Sequence, residues 1–154
     1  MMRRTWHTED FDAMGWHDVH VHGLKLENFS VEEGSCDLVL DIDYLLQWDT
    51  CDDGMFRFTV CRAELRFHQV RNLKLALDYA STSAGMCPFS IHGIQRETLR
   101  YINGATSWRW QITINWPLGS LQLDAPGFTQ TLMGEPVVQQ SRQWLSSAQR
   151  TGTF

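Results

Sequence analysis

No run of about 18 apolar residues occurs in the 154-residue chain, so no stretch reads as a membrane-spanning helix. The two arginines of the opening "MMRRTWHTEDFDAMG" have no apolar stretch behind them, and a secretory leader is not expected. The four cysteines form no C-x-x-C pair, which speaks against a zinc knuckle and for free thiols in a reducing, cytoplasmic setting. Lys/Arg clusters are missing too, and with a pI near 5.6 a nucleic-acid partner is disfavoured. The sequence holds no G-x-S-x-G, no P-loop, no H-E-x-x-H and no dinucleotide fingerprint, so the common hydrolase, nucleotide and zincin chemistries have no foothold.

What is present is a globular composition, 43% hydrophobic with seven Trp and eight Phe, in one domain spanning residues 1–154. Charge is unevenly spread. Residues 1–53 carry 13 acidic and three basic side chains, whereas residues 54–154 carry five acidic and ten basic. Cross-strand pairing between the halves is the simplest use of that asymmetry; a docking surface for a basic protein partner is the other. The densest acidic stretch is "DTCDDG", which makes Asp49, Asp52 and Asp53 the candidate partner surface together with Asp41 and Asp43.

Apolar residues alternate with period two over most of the chain. In "CDLVLDIDYLLQW" Leu38, Leu40, Ile42 and Tyr44 share one face and Asp37, Asp41 and Asp43 the other. "SWRWQITINW" alternates most strictly, with Trp108, Trp110, Ile112, Ile114 and Trp116 in phase. In "MFRFTVCRAELRFHQV" the apolar phase switches between Val60 and Ala63, which predicts a bulge near Arg62. "VHGLKLE" (21–27) and "IHGIQRE" (91–97) echo each other, and glycine within a strand predicts corresponding bends at both. The expected architecture is mainly β (α+β): an antiparallel, strongly bent sheet or partly open barrel of six or seven strands with one C-terminal helix. Residues 1–14 read as an irregular N-terminal segment and "STSAGMCP" (81–88) as a loop. Pro136 and the stripe Val137, Ser141, Trp144, Leu145 and Ala148 predict a helix over 136–149.

The chemistry-bearing stretch is "WHDVHVHG" (16–23). On a strand, His20 and His22 share a face with Cα atoms about 6.6 Å apart, and Asp18 extends the row. If this strand pairs with the next, Asp41 and Asp43 come close, so His17, Asp18, His20, His22, Asp41 and Asp43 form a candidate polar site. One reading is a hydrogen-bonded polar face with no cofactor. The alternative is a metal-binding protein or metal-dependent hydrolase holding zinc on His20, His22, Asp41 and Asp43. The D-x-H-x-H pattern of parallel-barrel amidohydrolases does not extend beyond these residues, and such barrels need about 200 residues or more. His17, of opposite parity beside Val19 and Val21, is expected to be partly buried. A third reading is a small apolar ligand binder with a pocket lined by the tryptophans, although strict period two makes those rings core first.

Trp16, His17, Asp18, His22 and Gly23, followed by Leu40, Asp41, Ile42, Asp43, Tyr44 and Trp48, resemble a family of small uncharacterised bacterial proteins. In that family a W-H-D…H-G strand precedes an L-D-I-D-Y…W strand. The resemblance covers the first third of the domain. It implies a bacterial, cytoplasmic protein and no catalytic residue. Together these readings predict a non-enzymatic interaction protein of inhibitor or immunity type, acting through an acidic surface.

Overall fold

A computed structural model describes residues 1–80, 85–150 and 152–154, and it is mostly antiparallel β. Its strands are β1 (Thr5–His7), β2 (His20–Ser30), β3 (Ser35–Thr50), β4 (Phe56–Asp78), β5 (Phe89–Arg100), β6 (Thr106–Trp116), β7 (Leu118–Ala125), β8 (Gly127–Leu132) and β9 (Val137–Gln140). Two meanders, β2-β3-β4 and β5-β6-β7, do most of the building. They join through β2–β5 on one side and β4–β7 on the other, so hydrogen bonding runs around the bent sheet in a ring. The short strands β1, β8 and β9 lie beside this ring: β8 and β9 pair with β4, and β1 pairs with β8.

The alternation seen in the sequence sets the inside of the ring. Leu38, Leu40 and Ile42 of β3 are fully buried against Ala63, Leu65 and Phe67 of β4, and Trp110 and Ile112 of β6 against Leu121 and Leu123 of β7. Cys61 is buried there as a small hydrophobe, and burial pushes its thiol pKa up. All four cysteines are free.

Curvature comes from bulges. In β2, Val21 faces Ile42 and Gly23 faces Asp41, leaving His22 as the extra residue. In β5, Ile91 faces Ile114 and Gly93 faces Thr113, leaving His92 extra. The two His-Gly pairs are thus equivalent bends in the two meanders, as the echo in the sequence predicts. Their hairpin turns correspond as well, with Gly34 (φ 65) and Gly104 (φ 85) adopting the left-handed backbone that glycine accepts without strain.

The predicted bulge near Arg62 is not there. Pairing runs unbroken from Val60 to Phe67 on β4, and the local shift lies on β3 between Leu45 and Gln47. The apolar phase switches because β4 changes which side it buries. Phe58 and Val60 pack on the outer side against Leu145, whereas Cys61, Ala63, Leu65 and Phe67 face the ring interior. The bends of β4 come later, at Gln69 (φ 51) and Asn72 (φ 52), where one extra residue enters each pairing.

Three further expectations need correction. The segment 1–14 is not irregular: β1 is followed by a 3-10 turn over Thr8–Ala13 that Asp10 ties to the His7 amide. The helix predicted over 136–149 is absent. Val137–Gln140 forms β9 instead, pairing with Arg57–Val60, and Ser141 at φ 60 turns the chain off the strand. Two adjacent β-branched valines beside an open edge of β4 favour the strand, and only a 3-10 turn at Ser147–Gln149 is helical. Among the described residues there are nine strands against the six or seven expected, the short β1 and β9 among them, while the two runs 55–70 and 73–79 are one bent strand. Residues 81–84 of the expected loop "STSAGMCP" lie outside the described residues. No helix among the described residues is long and apolar enough to cross a membrane.

Candidate functional site

The bulge at His22 and the register of β2 on β3 gather most of the polar candidates. His20 stands opposite Asp43 and Gly23 opposite Asp41. His22 Nε2 donates to Asp43 Oδ2 at 2.7 Å. Neither carboxylate is open to solvent: Asp43 is fully buried and Asp41 nearly so. Arg62, on the neighbouring strand, forms a two-pronged ion pair with Asp41, Nε to Oδ1 and Nη2 to Oδ2, both at 3.0 Å. Arg150, from the segment after β9, bridges Asp41 and Asp43. The backbone N–H of Leu145 donates to Asp43 Oδ2 at 2.9 Å.

Sequence reasoning singled out the acids and histidines but missed these arginines. Arg62 was legible, because on β4 it falls directly opposite Asp43 once the hairpin register is drawn. Arg150 carried no local signal, being brought in from 107 residues away.

The remaining candidates separate. Asp18 adopts φ 62, so the strand begins only at His20, and the Asp18 carboxylate accepts from the side-chain amides of Asn115 at 2.9 Å and Gln143 at 3.2 Å. His20 Nδ1 lies 3.1 Å from the Asp18 carbonyl, and its ring packs 5.1 Å from Trp144. His17, expected to be partly buried, is exposed. The left-handed turn at Asp18 swings it out of strand parity, and it donates from Nδ1 to the His92 carbonyl at 3.0 Å. Among the described residues, no group of three or more His, Cys, Asp or Glu side chains is arranged to hold a metal ion. Arginines occupy both Asp41 oxygens and Asp43 Oδ1, and His22 with the Leu145 amide occupies Asp43 Oδ2.

Two titrations follow from this geometry. Burial works to raise the Asp41 pKa, but hydrogen bonds and charge from Arg62 and Arg150 outweigh it, so the carboxyl sits below its ordinary 3.8. Its stabilising effect is present above that value and is lost as the pH falls through the lowered one. Burial lowers His20 below 6.5, ahead of the opposing pull of the Asp18 carbonyl. The unfolded chain therefore takes that proton first, and stability starts to fall as the pH drops below 6.5. Urea midpoints measured between pH 7 and pH 5 should decline in the native protein and stay flatter in His20→Asn. Equal slopes in the two proteins would rule His20 out as the source.

Of the tryptophan stripe, Trp110 is closed off in the core, while Trp108 and Trp116 are half-buried. Trp110 is fully buried, with ring centroids 5.3 Å from Phe11, 5.3 Å from Phe67 and 5.7 Å from Phe128. A cleft of about 390 Å³ between β2 and the end of β4 is lined by residues such as Leu24, Leu77, Tyr79 and Phe89, with no tryptophan among them.

The acidic turn is different. Beyond Asp43, β3 runs past the start of β2 and continues with β4 alone to the 51–55 turn, while β9 lies on the far side of β4. Trp48 faces Phe58 and Thr50 faces Phe56 across this projecting hairpin. Trp48 and Phe56 meet edge-on at 5.7 Å, yet remain 51% and 46% exposed. Asp49, opposite Arg57, accepts from Gln47, and Asp53 takes the Met55 amide; Asp52 and Asp53 are exposed. Elsewhere acids of the first half pair with bases of the second: Arg66 with Glu27 and Asp37, and Arg62 and Arg150 with Asp41. Among the described residues, no ion pair engages Asp49, Asp52 or Asp53.

Compared with protein-family models, curated proteins and solved structures, the chain matches none of them.

Proposed function

We propose that this is a non-enzymatic interaction protein of bacterial, cytoplasmic origin, of the inhibitor or immunity type, which grips a basic protein through the end of the β3–β4 hairpin. The observation that carries the reading is the pair of half-exposed rings, Trp48 and Phe56, flanked by the unneutralised carboxylates of Asp52 and Asp53. Large aromatic side chains that give up water on contact dominate binding energy at protein interfaces, and a charged rim sets the association rate and the choice of partner. Three acids and one arginine leave this tip with a net charge of −2, which suits a Lys/Arg-rich surface. The outer edge of β3 from Leu45 onward has no paired strand among those described, so its backbone groups are also open to a partner.

Relative to the expectation from sequence, the surface shrinks. Asp41 and Asp43 are engaged internally, and Asp49, Asp52 and Asp53 remain. The test is capture of a basic protein from extracts of the source cells, followed by calorimetry on the captured partner. Trp48→Ala and the triple change Asp49→Asn, Asp52→Asn, Asp53→Asn should each weaken binding at least tenfold, about 1.4 kcal/mol. The triple variant should also lose most of the salt dependence. A partner bound equally well by both variants sinks the assignment.

A further inference from the structure

The segment after β9 does more than cover the Asp41–Asp43 pair. Leu145 is 2% exposed and packs on Phe58 and Val60, the outward apolar residues at the base of the projecting hairpin. Its amide is held by Asp43, and five residues later Arg150 bridges both carboxylates. Further along, Arg62 Nη1 donates to the Gly152 carbonyl at 2.6 Å, and the Phe154 ring lies over Gly23 with the Lys25 ammonium 4.3 Å from its centroid. Most of the polar residues that looked like a metal site therefore receive this segment.

We propose that residues 141–150 are a latch, locked by Arg150, that holds the β3–β4 hairpin in its partner-binding form. The proposal rests on the docking reading above for its purpose but not for its mechanism. A projecting two-stranded hairpin is marginal in water unless a third strand joins it and an apolar face is covered. Here β9 is the third strand, at the edge of β4, and Leu145 covers the face, staying seated because Asp43 takes its amide and Arg150 neutralises the acids beneath. The body of the ring, by contrast, has a core to which no described residue of this segment contributes. Release of the latch should therefore loosen the hairpin and leave the β5–β6 pair intact.

Amide hydrogen exchange on the full chain tests this without any partner, so its failure is separable from failure of the docking reading. In Arg150→Ala, the Leu145 amide and the amides of 56–60 should exchange at least tenfold faster, with those of 91–97 unchanged. Arg150→Lys should fall between, since one ammonium cannot serve two carboxylates as a planar guanidinium does. Leu145→Ala, which leaves the ion network alone, should speed exchange at 56–60. An unchanged Leu145 amide in Arg150→Ala would overturn the lock. Fast exchange of the latch over a protected hairpin would overturn the coupling. Equal acceleration in β5 and β6 would also overturn it, because the effect would then be global.

Discussion

Alanine at Asp43 should lower the free energy of unfolding by about 3–5 kcal/mol, the usual cost of removing one partner from a buried ion pair. The side chain is fully buried and serves Arg150, His22 Nε2 and the Leu145 amide together. Each of those donors would be left facing protein, with Arg150 still beside Asp41. Urea denaturation of Asp43→Ala, Arg150→Ala and the double variant separates the contributions. Because the two residues share one network, the double variant should be less damaged than the sum of the singles, by about 0.5–3 kcal/mol. Strict additivity, or a loss below about 1 kcal/mol for Asp43→Ala, would mean that the carboxylate is solvated and holds nothing.

Trp110→Ala should be comparably severe, about 3–5 kcal/mol for truncation of a large aromatic in a closed core. Trp110 contacts Phe11, Phe67, Trp108 and Phe128, and its indole N–H donates to the Ala125 carbonyl at 3.0 Å. The substitution removes ring packing from β4, β6, β8 and the N-terminal 3-10 turn at once and orphans a buried acceptor. A ring lining a ligand pocket behaves differently: its loss lowers affinity while the urea midpoint holds. A stable Trp110→Ala protein would therefore favour the small-ligand reading.

These two positions also show what the sequence could and could not tell. The interior of the ring was legible because strands with one wet face must alternate, and β3 and β6 do so over long stretches. The bends at Gly23 and Gly93 were legible because a glycine inside an alternating run marks a bulge, and the same His-Gly pair occurs twice. Val60 to Ala63 misled, since a pattern reports which residues are buried and not which side of the strand they face. The β9 segment misled for a related reason. Val137, Trp144 and Leu145 are spaced for a helix, but the groove that receives Leu145 is made by β4 and Asp43, far away in sequence. At the candidate site the acids and histidines were visible one by one. Their role was not, because two arginines from other segments convert an apparent ligand set into a neutral, occupied network.

The bridge from Arg150 to Asp43 spans 107 residues, and that separation has a temporal side. A chain made from its N-terminus presents β2, β3 and most of β4 long before Arg150 exists. During that interval Asp41 has Arg62, but Asp43 lacks both Arg150 and the Leu145 amide and has His22 and water beside it. Contacts between residues so far apart form late and slow the overall reaction. The nascent protein thus passes through a state whose ring can close while its outer hairpin is still uncovered, aromatic rings and open strand edge included. That state is the one most exposed to aggregation, and interruption of synthesis before Arg150 would strand the chain there.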